Sequence, residues 1–186
     1  MVNFEMAALA LNLPGDSSLS ITVRIEKPSD ISNIHEVTAA AFLHAPHTDH
    51  TEQFIVKALR DSGELTISLV AEESGHIIGH VALSPVTISG SSNNWYGLGP
   101  ISVIPSKQNK GVGSKLMQSA LSALKNINAN GCVLLGDPNY YQKFGFEPIE
   151  GLVLPDVPPE YFQALLLQGI QPQGTVVYHE SFSARD

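Results

Sequence analysis

Gln108-Asn109-Lys110-Gly111-Val112-Gly113 lies between an apolar run ending at Val103-Ile104-Pro105 and a helical pattern that starts near Ser114. It reads as a strand-to-helix turn whose two glycines let the backbone approach a ligand closely. Successive N–H groups point outward at a helix start, where the macrodipole also favours negative charge, so the turn is an anion cradle. The chain carries a formal charge of −8, yet Lys107, Lys110, Lys115 and Lys125, four of its ten basic residues, cluster here. A phosphate-bearing ligand follows from that. Two common phosphate turns do not fit. A P-loop needs Gly directly before Lys-Ser/Thr, whereas here Ser114 precedes Lys115 and Leu116 follows it. The dinucleotide pattern needs a third glycine where Leu116 stands.

The 186 residues, 43% hydrophobic and 15% charged, suit one globular domain with a real core. An acidic balance argues against a nucleic-acid partner, which Lys and Arg would have to neutralise, and suits a cationic or amine substrate. Cys132 is the only cysteine, which excludes an intrachain disulfide and a cysteine-based metal cluster. Beside Val133, Leu134 and Leu135 it reads as a core residue. No apolar window is long enough for a membrane span, and Met6 to Leu13 follows Glu5 without a basic flank, so it is not read as a signal peptide. A cytoplasmic protein with no membrane partner is expected.

Pro14-Gly15-Asp16-Ser17-Ser18 sets residues 1–20 apart as an extension, expected to be disordered, from a single domain over residues 21–186. Ile21 to Ile25 alternates as a first strand, and Ile31, Ile34, Val37, Ala41 and Phe42 keep helical spacing. A second helix is expected from near Asp49, with Glu52 three residues on as in a capping box. Leu65 to Ala71 and Ile77 to Leu83 read as strands joined at Ser74-Gly75, Ser89 to Asn94 as a polar loop, and Trp95 to Ile104 as the strand entering the glycine turn. Leu116, Met117, Ala120, Leu121, Leu124 and Ile127 share a helix face, Gly131 to Leu135 is a short buried strand, and Pro138 to Phe144 is a short helix stopped by Gly145. Glu160 to Leu167 reads as helical and Thr175 to Phe182 as a last strand, whose exposed edge would permit homodimer pairing.

The glycine turn matches Gln/Arg-x-x-Gly-x-Gly/Ala and so resembles the pyrophosphate loop of the GNAT acyl-CoA N-acyltransferase superfamily. Leu98-Gly99-Pro100-Ile101-Ser102-Val103-Ile104-Pro105 resembles the fourth strand of that family, and Tyr140-Tyr141-Gln142-Lys143-Phe144-Gly145-Phe146 its Phe-Tyr-x-Lys-x-Gly-Phe signature. Leu135-Gly136-Asp137-Pro138, ahead of Tyr140-Tyr141, and Val157 to Phe162 are similar to its YhbS-like branch. The resemblance implies an α/β (α+β) fold, with a mixed, mostly antiparallel central sheet of six to seven strands flanked by helices and splayed between the fourth and fifth. It also implies an acetyl-CoA-dependent N-acetyltransferase without a metal, acting on the primary amine of a small molecule or peptide. A catalytically silent acetyl-CoA sensor or scaffold is the competing reading.

On that resemblance, Ile101, Ser102 and Val103 run beside the cofactor: the N–H near Ile101 faces the acetyl carbonyl, and Val103 holds the pantetheine arm. Gln108 and Asn109, with the N–H groups of Lys110, Gly111, Val112, Gly113 and Ser114, take the pyrophosphate. Alignment with the signature makes Tyr141 the acid that protonates the leaving thiolate, with Tyr140 second; stacking on Phe144 and Phe146 is the structural alternative. Asp137 is a candidate base, equally explained as a cap before Pro138, while Glu73 or His80 would relay through water. His44, His47 and His50 are spaced like ligands, but Pro46 interrupts them, and their loop is expected to shape the acceptor pocket with residues 89–95 and 150–174.

Overall fold

The computed structural model describes residues 20–44 and 48–186. The expected extension therefore lies, apart from Ser20, outside the described residues, as does His47. Strand β1 (Thr22–Ile25) pairs antiparallel with β2 (Ile67–Glu73), which turns through Ser74-Gly75 into β3 (His76–Ile88). β3 pairs antiparallel with β4 (Ser91–Val103). Helices α1 (Ile31–Phe42) and α2 (Glu52–Asp61) bury Ile34, Val37, Val56 and Leu59; α1 packs on β3 and β4. Helix α3 (Val112–Asn126) packs on β2 and β3. Its helical stripe of Leu116, Met117, Ala120 and Leu124 is fully buried, and each leucine contributes about 1.5–3 kcal/mol of burial.

Beyond α3, β5 (Gly131–Leu135) runs parallel to β4, and α4 (Pro138–Tyr141) starts at Asp137, whose Oδ1 accepts from the Asn139 N–H at 2.9 Å. The chain closes with β6 (Leu152–Val153), β7 (Phe162–Leu166) and β8 (Gly174–Tyr178). The sheet order is β1-β2-β3-β4-β5-β7, with β8 on β3 and β6 beside β8. The sheet is thus mixed and mostly antiparallel, as expected, with eight strands where six to seven were anticipated.

Four local expectations are corrected. Ser91 to Asn94 is strand rather than loop, because only Ser89-Gly90 is needed to turn β3 onto β4, with Ile88 opposite Ser91. The segment read as helical, Glu160 to Leu167, contains β7, held to β5 from Leu135↔Phe162 to Gly131↔Leu166. Helix α2 begins at Glu52 and not at Asp49; the Glu52 carboxylate accepts from the Thr48 hydroxyl instead of closing a capping box. The last strand stops at Tyr178, because His179 Nδ1 accepts from the Ser181 N–H and starts a 3-10 turn. β8 is paired to β3 along 176–178 and to β6 at 174–175, so the edge expected to be exposed is partly used.

Candidate active site

Strands β4 and β5 pair only at Trp95↔Gly131, Tyr96↔Cys132 and Gly97↔Val133. Past that point β4 continues to Val103 beside β3 alone, while β5 continues beside β7. The parting has a local cause. Val81 faces Ile101 and Leu83 faces Leu98, so two residues, Gly99 and Pro100, bulge opposite Ala82. A bulge bends and twists its strand, which turns β4 away from β5. Among the described residues the backbone of β4 on that side is left without a strand partner, and two cavities are lined in part by β4.

The first cavity, about 580 Å³, is lined by Val103, Gln108, Asn109, Gly111, Gly113 and Ser114 together with Tyr140 and Lys143. Gly111 caps α3 with φ 82°, a conformation that costs other residues about 1 kcal/mol or more. At Gly113 an added Cβ would sit 2.8 Å from the Tyr140 hydroxyl oxygen. The fifteen-residue α3 thus opens its N-terminus onto this cavity, as an anion cradle requires. The Gln108 side-chain amide donates to the Val103 carbonyl at 3.0 Å, tying the turn to the strand. The Val112 side chain is in the core, and the Ser102 hydroxyl faces Thr38 of α1 at 3.3 Å, so only their backbone is available to a ligand. Lys107 pairs with Glu73, the Lys110 Nζ lies 2.9 Å from the Ser106 carbonyl and the Lys115 Nζ 3.2 Å from that of Ile21. The cation that lines the cavity is Lys143, 4.0 Å over the Tyr140 ring. Sequence reasoning gave Lys143 no role; its place one helical turn beyond Tyr140 was the available signal.

The second cavity, about 560 Å³, has Leu98 to Ile101 as one wall. Tyr141 lines it, with its ring edge-on to Tyr140 at 4.9 Å and to Phe146 at 6.3 Å. Burial, with Tyr140 nearby adding to it, pushes the Tyr141 phenol up to about 12. Tyr178 also lines the cavity, and burial raises its phenol further still. Glu52, Phe42 and Ile55 enter from α1 and α2, and Phe182 from the C-terminal segment. Glu52 was missed as a site residue, because Glu three residues after Asp49 satisfied a capping pattern.

Asp137 is exposed and lines neither cavity. Glu73 is held by Lys107. His80 is fully buried, its Nε2 2.8 Å from the Ser68 hydroxyl, and it too stands apart from both cavities. His44 and His50 are exposed, and the His50 Nδ1 lies 2.9 Å from the Phe42 carbonyl. Among the described residues no group of three His, Cys, Asp or Glu side chains is arranged for a metal, and no helix is long and apolar enough to cross a membrane.

Residues 64–148 match the family described as the acetyltransferase (GNAT) domain. YhbS of Escherichia coli K12, called an uncharacterized N-acetyltransferase, is 35% identical over 126 residues, 67% of this chain and 72% of the relative. A GNAT family acetyltransferase from Brucella melitensis, crystallised with acetyl-CoA, superposes with a TM-score of 0.79 at 44% identity, covering 88% of this chain and 99% of that one. The crystal structure of Escherichia coli YhbS with CoA gives a TM-score of 0.82 at 32% identity, over 90% of this chain and 94% of that one.

Proposed function

The chain belongs to the GNAT acetyltransferases, and from that premise we propose that it transfers the acetyl group of acetyl-CoA directly to a primary amine. The observation that carries this reading is the pair of cavities lined by β4 past its last pair with β5, with Ile101 in one and Val103 in the other. Relatives crystallised with acetyl-CoA and CoA support it. In this reading the pyrophosphate rests on Gln108, Asn109 and the N–H groups from Lys110 to Ser114, and the pantetheine arm adds to the free edge of β4 at Val103. The thioester carbonyl then meets the backbone near Ile101, where fixed N–H dipoles stabilise an oxyanion.

The amine nitrogen attacks the carbonyl carbon from the second cavity, forming the C–N bond and a tetrahedral oxyanion. Collapse breaks the C–S bond, and the thiolate needs a proton. A phenol at about 12 lies above a thiol at about 8.5, so complete transfer from Tyr141 alone is uphill. Tyr141 therefore donates a hydrogen bond to the sulfur, and its proton moves over as the nitrogen, acidified by its new bond, releases its own to solvent and the phenolate is reprotonated. Tyr140 borders the donor cavity and takes the second place.

The test is calorimetric titration of acetyl-CoA onto wild type and Gly111→Trp, with CoA release followed on a panel of amines. Binding lost in the variant, and CoA released with at least one amine, is the expected result. Binding without turnover on any amine would replace the enzyme by an acetyl-CoA sensor; no binding at all would remove both.

A further inference from the structure

Among the described residues lining the second cavity, Glu52 is the only carboxylate, and no Lys, Arg or His is present. Its Oε1 accepts from the Thr48 hydroxyl, while its Oε2 is shielded from solvent with no hydrogen-bond partner among the described residues. A carboxylate oxygen held that way costs free energy until a cationic donor reaches it, and charge-assisted bonds are the strong ones. The other walls are apolar or aromatic, with Phe42, Ile55, Leu98 and Leu135 facing the same space as Phe182.

We propose that this cavity takes a small primary amine carried on an apolar body and lacking a carboxylate, its ammonium held by Glu52 until it gives one proton up to solvent and the neutral amine enters the acyl transfer proposed above. A free amino acid fits badly on two counts. Its own carboxylate would find no cation in the wall, and it would stand in the same small space as Glu52, where like charges repel. The carboxylate is also well placed to stay. Glu52 is the first residue of α2, and the C-terminal segment that brings Phe182 to the cavity reaches back to the same loop, with the Arg185 guanidinium 2.5 Å from Asp49. The formal charge of −8 favours the approach of a cation from a distance.

The inference rests on the transferase reading but is tested apart from it. Phenethylamine, its neutral counterpart phenethyl alcohol, and phenylalanine are titrated calorimetrically onto the CoA-saturated protein, for wild type and Glu52→Gln, which needs no chemistry. Phenethylamine is expected to bind wild type about tenfold or more tightly than the alcohol or the amino acid, and Glu52→Gln to remove that advantage with acetyl-CoA affinity unchanged. Equal affinity for amine and alcohol in wild type, a preference for phenylalanine, an unaltered amine affinity in Glu52→Gln, or no amine binding would each overturn it. The wild-type comparison of amine with alcohol stands even if the variant folds poorly. Failure of the transferase reading shows itself differently, as absent acetyl-CoA binding or as amine bound without CoA release.

Discussion

A tyrosine whose phenol is pushed up to about 12 stays protonated at every pH at which the fold is in use, so it is a standing hydrogen-bond donor. Replacing Tyr141 with Phe keeps the edge-on packing against Phe146 and removes only the hydroxyl. Turnover by Tyr141→Phe should fall by about 10²- to 10⁴-fold with acetyl-CoA affinity retained; an unchanged kcat would reduce Tyr141 to a packing residue. His80 makes the opposite point, that a buried titratable group can serve stability alone. Burial lowers it from 6.5 to about 4, with Glu26 opposing and Arg60 assisting. Its folded pKa lies below its unfolded one, so the unfolded chain binds the proton first and stability is lost as pH falls through that window, by up to about 3 kcal/mol. Urea midpoints should drop between about pH 6.5 and pH 5 for wild type and less for His80→Gln; parallel curves would exonerate His80. The local signature around Tyr141 marked that residue in the sequence. Glu52 and His80 were not legible there, since what decides them is which neighbour lies across a cavity or a strand, 12 positions away for the Ser68 and His80 pair.

Elements with their own periodicity were legible from the residues alone. The stripe of α3, the alternation of β1 and the Ser74-Gly75 turn each carry their instruction locally. Those that failed take it from elsewhere. Glu160 to Leu167 is a short apolar run that suits helix or strand equally, and β5 settles the choice by pairing with it. Ser91 to Asn94 is too polar to look like a strand, yet β3 opposite and the Asn130 amide, 2.9 Å from the Asn93 carbonyl, hold it extended. The strand assignment of β7 has a measurable consequence. Phe162 is buried in one apolar cluster with Trp95, Val133 and Val176, whereas Leu166 at the far end is 38% exposed. Phe162→Ala should cost about 3–5 kcal/mol in urea unfolding and Leu166→Ala less than half of that; equal losses would contradict the burial of β7 at its Phe162 end.

For the molecule as a whole, the order of elements and the resemblance together gave the splayed sheet, because the glycine turn and the two flanking motifs fix where β4, α3 and α4 fall. The depth and lining of the second cavity were not legible, since α1, α2, β4 and the C-terminal segment each contribute to it from distant parts of the chain. Among the described residues β1 is an edge strand, paired on one side to β2 and tied through the carbonyl of Ile21 to Lys115 at the start of α3. Among the described residues, none that lines the two cavities precedes Phe42. We propose that the domain spans residues 21–186 and expect a chain begun at residue 21 to melt within about 2 °C of the full one, which for a domain of this size is about 0.5–1 kcal/mol. Its acetyl-CoA affinity should stay within about twofold, since the residues proposed to hold the ligand, from Ile101 to Ser114, are all retained. A larger drop in melting temperature would extend the domain into residues 1–20, and an unchanged melting temperature with weakened acetyl-CoA binding would assign that segment to the ligand instead.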